Sequence, residues 1–128
     1  MSYAIAAALQ MAIYARLTTV NVPVYDAVPV GALPPLYVLL GAEDVRDASD
    51  QTGHGADHAL TIAVISEAAG FTSAKQAAAA ICDALLDTAL PLTRGTLVGV
   101  HFTKARAARK GSQRQITLTF RARVADDT

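Results

Sequence analysis

Apolar residues recur four apart at the start of the chain, at Ile5, Leu9, Ile13 and Leu17, with Gln10 and Arg16 off that stripe. Such spacing puts the four side chains on one side of a helix, so a first amphipathic helix is predicted from Ser2 to about Leu17. The cluster Thr18-Thr19-Val20 and then Pro23 end it, and Pro29, Pro34 and Pro35 hold the next stretch in short loop structure. Leu36 to Leu40 is a compact β-prone run closed by Gly41, which predicts a central strand buried on both faces. Ala59 to Ser66 predicts a second buried strand, with Leu60, Ile62 and Val64 on one face and Ala63 and Ile65 on the other.

Between these strands the pattern changes. Asp44, Arg46, Asp47, Asp50 and Asp57 surround Gly53-His54-Gly55, too polar a segment to contribute much core. Glu43 to His58 is therefore expected to be an exposed excursion, a strand pair with a mobile tip. Ser73 and Gln76 have the spacing of a capping box, and Ala74, Ala78, Ile81 and Leu85 form the apolar stripe of the helix it would open. Lys75, Asp83 and Asp87 lie off that stripe, and Pro91 stops the helix.

After Gly95, Val98, Val100 and Phe102 alternate with Gly99, His101 and Thr103. Ile116, Leu118, Phe120, Ala122 and Val124 do the same against Thr117, Thr119, Arg121 and Arg123, which predicts two strands of a long hairpin from Thr96 to Val124. The polar segment Arg106 to Arg114, with Lys110 and Gly111, reads as its connection. The fold class is α+β: a β-sheet with a long C-terminal β-hairpin, packed by an N-terminal helix and a central alanine-rich helix. At 128 residues the chain has the size of one domain, taken here as residues 1–128.

Composition narrows the uses of that fold. Hydrophobic residues are 52% of the chain, so disorder is not expected, but aromatics are 5% and tryptophan is absent, which leaves few rings for a ligand cage or a base-stacking platform. No apolar run approaches the roughly 18 residues of a membrane span. The start of the chain carries no basic leader with an apolar stretch, and a cytoplasmic origin is expected. Cys82, the one cysteine, sits in the alanine-rich helix and reads as a buried structural thiol.

The zero net charge conceals a polarity along the chain. Residues 1–103 hold four basic and nine acidic side chains, and residues 104–128 hold seven and two. Such a separation suits contact between opposite surfaces of neighbouring subunits. The candidate assembly interface is Asp44, Arg46, Asp47, Asp50, His54 and Asp57; the candidate basic interface is Lys104, Arg106, Arg109, Lys110 and Arg114.

Recognisable chemistry is missing. His54 and His58 are four apart and near Asp50 and Asp57, but the flanking glycines argue against helical presentation to a metal, and a solvated loop is the better reading. His101 has no recognisable nucleophile or carboxylate partner and reads as a surface or interface residue. The glycines lack the spacing of a phosphate loop, no nucleophile elbow or zinc-protease pattern is present, and Asp126 and Asp127 read as a solvated tail. No catalytic residue, cofactor or metal is assigned. The C-terminal cations leave a DNA-binding module open, without the stacking or groove-reading groups that sequence-specific recognition needs.

The run Pro35-Leu36-Tyr37-Val38-Leu39-Leu40-Gly41, the acidic excursion, the strand Leu60 to Ser66, the alanine-rich helix and the ending Ile116-Thr117-Leu118-Thr119-Phe120-Arg121-Ala122-Arg123-Val124 together resemble the tail terminator, or tail completion, family of siphophage-like tails and bacterial gene transfer agents, most of all the gene transfer agent members. The resemblance covers nearly the whole chain. It implies a non-enzymatic subunit that forms a ring, a homohexamer, on the last ring of the tail tube, stops tube growth and helps join tail to head. The implied partners are further copies of the chain, the tail tube protein and a head–tail connector or stopper protein, with nonspecific contact to passing DNA left open and no membrane. The implied location is the bacterial cytoplasm during assembly and then the tail or neck of the particle. Another neck or tail-tube assembly protein would fit the same pattern.

Overall fold

The structure, a computed structural model, describes residues 5–27, 31, 33–49, 54–68, 70–86 and 90–126. Among them the order of elements is α1 (Ala6–Leu17), β1 (Val24–Tyr25), β2 (Leu36–Asp47), β3 (His54–Ser66), α2 (Thr72–Leu86), β4 (Thr96–Lys110) and β5 (Gln113–Asp126). The strands form a five-stranded sheet in the order β1-β2-β3-β5-β4. β1 runs parallel to β2, and every other neighbouring pair is antiparallel. This is the α+β architecture expected, with both helices and the C-terminal hairpin in place.

The core follows from the two-residue period of a strand. Val38 on β2, Ala56, Ile62 and Val64 on β3, and Ile116, Leu118, Phe120, Ala122 and Val124 on β5 share one face and are buried. Ile5, Leu9, Ile13 and Leu17 from α1, and Ala74, Ala77, Ala78, Ile81 and Leu85 from α2, close over them. The alanines of α2 leave little between helix and sheet, so backbone and sheet approach closely. Phe120 is fully buried, and Phe102 of β4 meets its ring edge-on, 5.8 Å between centroids at 71°.

Local chemistry sets the ends of these elements. α1 closes where Thr18 and Thr19 donate their hydroxyls to the carbonyls of Ala15 (2.6 Å) and Arg16 (2.7 Å), acceptors that a helix end leaves unsatisfied. The β4–β5 turn has Gly111 at φ 60° and Ser112 on the negative side, the pattern of a two-residue type II′ hairpin, in which glycine at the first position is required. Gly95, at φ 74°, admits no side chain, since a Cβ would lie 2.6 Å from the Ile5 side chain and 2.7 Å from the Ala125 carbonyl oxygen.

Several expectations are corrected. The stretch after α1 contains a strand, β1, because Pro23 leaves its carbonyl to accept from Val38 N–H (2.8 Å) and the Tyr25 ring packs edge-on against Tyr37, 6.1 Å between centroids. β2 lies beside the edge strand, not at the centre, and Leu36, Leu39 and Leu40 are only half-buried. The excursion Glu43 to His58 is the strand pair expected but is not exposed throughout: β2 and β3 stay paired from Asp47↔Ala56 inward, Ala56 and His58 are buried, and residues 50–53 lie outside the described residues. The segment Arg106 to Arg114 is also mostly strand, with only Gly111 and Ser112 turning. An edge strand exposed along most of its length has little apolar requirement, so its polar sequence imitates a loop.

The expected alternation in β4 is interrupted by bulges between Leu97 and Gly99 and between Phe102 and Lys104, and Val98 is 65% exposed. Ser73 sits inside the first turn of α2 and not at its cap, since the helix opens at Thr72 with Lys75 N–H donating to the Phe71 carbonyl (2.8 Å). Cys82 is half-buried; desolvation, and then the neighbouring Asp83, push its thiol pKa up. Residues 2–4 of the expected first helix, Pro29 and Asp87 lie outside the described residues. Phe120→Ala is expected to destabilise the protein by about 3–5 kcal/mol, because it opens a cavity under both helices and removes the partner of Phe102. Denaturant unfolding measures this, and an unchanged midpoint would refute the placement of Phe120.

Candidate functional site

Among the described residues both helices lie on one face of the sheet, and the opposite face carries no helix. Its rows can be read across the strands. One runs Asp44↔Ala59↔Arg121↔His101, the next Arg46↔Asp57↔Arg123↔Gly99, and nearer the hairpin tip come Thr119↔Lys104 and Thr117↔Arg106. The acids on this face are Asp44 of β2 and Asp57 of β3, with Arg46 beside them, while the remaining cations lie on β5 and β4. The exposed bulge residue Val98, with Gly99, His101, Thr103, Asp57, Arg121 and Arg123, lines an open groove of ≈ 480 Å³ on this side.

The acidic candidates divide by environment. Asp57 is 3.1 Å from the Arg121 guanidinium, and Asp47 accepts from the Ser49 hydroxyl (2.7 Å) and backbone N–H (3.2 Å), so it shapes the turn leaving β2. Asp44 and Arg46 are exposed on the bare face. Asp50 lies outside the described residues, and of His54 only the backbone is described, opposite Asp126 at the start of β3.

The basic candidates also separate. Lys104 and Arg106 stand on the bare face, and Arg109 and Lys110 flank the exposed hairpin turn. Arg114 instead lies across the Phe71 ring at 5.7 Å, a cation–π contact that ties β5 to the start of α2. Arg121 and Arg123, absent from the candidate set, belong to the same cationic surface; Arg123 also donates to the Ala48 carbonyl at 3.2 Å and so braces the β2 arm. Their alternation with Ala122 and Val124 in sequence is the signal that places them there.

His58 overturns the solvated-loop reading. It is fully buried on the helix-covered face, aligned with Ala56 and Ile62, and its Nδ1 lies 3.3 Å from Glu43 Oε2, while Nε2 has no hydrogen-bond partner among the described residues. β3 begins at His54, so the positions read as loop already follow strand parity. No three His, Cys, Asp or Glu side chains converge as a metal site among the described residues.

A second exposed surface was not anticipated from sequence. Met11 (62% exposed) and Tyr14 (41%) on the outer side of α1 line a groove of ≈ 510 Å³ with Ala7, Gln10 and Asp26.

A sheet with one helix-covered face and an opposite face rich in charged groups offers surfaces for assembly. A family model described as tail completion protein gp17 matches residues 4–125, and the chain belongs to that family, a structural component of phage-like tails. Among solved structures, a chain in one titled "Virion of native gene transfer agent (GTA) particle" is 52% identical, with a TM-score of 0.88, over 97% of this chain and 99% of that chain. No match was found among curated proteins.

Glu43→Ala is expected to cost about 1–3 kcal/mol, since it leaves His58 buried without its one partner among the described residues. Combining it with His58→Leu should recover much of that loss, because it removes the buried imidazole that would otherwise be left unpaired. Thermal or denaturant unfolding of the single and double variants checks the order, and equal losses would show that the pair is not coupled.

Proposed function

We propose that this protein is the tail terminator of a gene transfer agent or phage-like particle, acting as one domain that closes into a ring, a hexamer, on the end of the tail tube. The observation that carries this reading is the near full-length similarity to a chain of a gene transfer agent virion. The ring halts addition of tube subunits and presents its other side to a connector or stopper protein at the head. A cyclic assembly needs two different contact surfaces on each subunit, and the acid-to-base division of the bare face and the long cationic edge at β4 supply that asymmetry. Assembly in the bacterial cytoplasm, followed by incorporation at the tail–head junction, is the course such a part would take.

Mechanistically this is stoichiometric binding. Exposed ion pairs contribute little individually, so apolar surface must supply most of the affinity, and the Met11–Tyr14 groove and the Val98 side chain offer it. The cations of β4 and β5 also permit loose contact with DNA in transit. Arg121 and Arg123 are already engaged by Asp57 and the Ala48 carbonyl, which favours the assembly role for this surface.

Particles produced without this protein should have tails of uncontrolled length or tails unattached to heads, and purified protein added to bare tubes should arrest their elongation. Electron microscopy of tail lengths and of head attachment reads both. Tails of normal length, joined to heads in its absence, would overturn the assignment.

A further inference from the structure

The sheet ends in two open edges of opposite charge. On one side β1 pairs only with Val38 and Leu39, so among the described residues no strand pairs along the outer side of Leu40–Asp47. Beyond its bulge, Glu43–Asp47 keeps unbroken register with β3 and carries Glu43, Asp44 and Asp47 against a single Arg46. On the other side β4 is an edge strand along its whole length. Past its second bulge, Lys104–Lys110 keeps unbroken register with β5 and carries two lysines, two arginines and no acid. Both stretches are regular enough to template another strand, which exposed edges do unless something opposes it.

Charge decides which strand. Pairing β4 with β4, or β2 with β2, sets like charges on adjacent strands, which opposes the contact. Pairing β4 with β2 sets cations beside carboxylates. Strand direction agrees: β2, β3, β5 and β4 alternate, so β4 runs opposite to β2, and a second copy turned about an axis along the strands brings its β2 antiparallel to the first copy's β4. That contact is head-to-tail and leaves a fresh edge for the next copy, as ring closure demands.

We infer that the occupant of each open edge is a second copy of this chain, with Lys104–Lys110 of β4 adding to Glu43–Asp47 of β2 to make one sheet continuous through the ring. The inference deepens the ring reading and rests on it. It identifies the contact as backbone pairing whose partner choice is set by charge.

The test uses full-length chains in a Cys82→Ser background, one carrying Arg106→Cys and one Asp44→Cys, treated with a bis-maleimide of about 10 Å reach, roughly two strand spacings. Ring-sized mass is first established by sedimentation of the wild-type chain, alone and on tail tubes. The mixture should give the Arg106→Cys to Asp44→Cys cross-link, with little linkage within either variant alone. Separately, Lys104→Glu with Arg106→Glu should weaken ring formation at least tenfold, and adding Asp44→Lys to the same chain should restore part of it. Circular dichroism checks that each variant is folded, and the cysteine pair carries the test if the charge variants are not. Ring-sized mass without the mixed cross-link, or with efficient linkage of either variant to itself, overturns the edge pairing while the ring reading stands. A wild-type chain that stays monomeric even on tubes overturns the ring reading and this inference with it.

Discussion

Everything in this molecule depends on two helices covering one face of a sheet. That constraint requires the strands to agree on which residues point inward, and a plain two-residue alternation would not achieve it in β2 or β4. After Phe102, uninterrupted parity would turn Lys104 and Arg106 toward the helices. The extra residue at the Phe102–Lys104 bulge turns Ala105 and Ala107 to that side and both cations to the bare face. The irregularity between Leu40 and Glu43 does the same for β2, bringing Val45 inward and sending Asp44 and Arg46 outward. Two carboxylates, Glu43 and Asp47, take the covered-side parity through this shift, and Glu43 is the one partly buried. The His58–Glu43 contact follows from it: the fully buried imidazole meets a partly exposed carboxylate from the neighbouring strand instead of lying without a partner.

Bulges explain where the sequence was legible and where it was not. The helical stripes of α1 and α2 are visible because four-residue spacing survives over several turns, and each residue assigned to them, Ile5 through Leu17 and Ala74 through Leu85, is buried. β5 was equally plain, since Ile116 to Val124 never breaks alternation. A bulge is one uninterpretable residue in a sequence, so Val98 was assigned to an apolar face that it leaves. Polarity misled in Arg106–Arg114, where an exposed edge strand loses the composition that marks a strand, and in Glu43–His58, where Ala56 and His58 are buried within a segment too polar to read as core. The candidate charges were legible as a set. Which were already engaged, Asp57 with Arg121 or Arg114 with Phe71, depends on pairings between residues far apart in the chain, and spacing carries no signal for them.

A long open edge such as β4 is ordinarily a hazard, because its unpaired backbone groups will accept any strand presented to them. Lysine, arginine and bulges are common protections, and β4 has all three. Here the protection is selective. A stretch whose charges are all cations opposes its own kind and tolerates an acidic edge, and among the described residues Glu43–Asp47 offers one at the far side of the same sheet. A symmetric pair through β4 or through β2 is opposed by charge, whereas the proposed β4–β2 contact sets opposite charges side by side at each addition. A protein built this way is kept from associating through the wrong surface by the same residues that specify the right one. In the proposed ring, sheet twist and apolar contacts such as those of α1 and Val98 would set the number of copies, since charge selects the partner but not the angle.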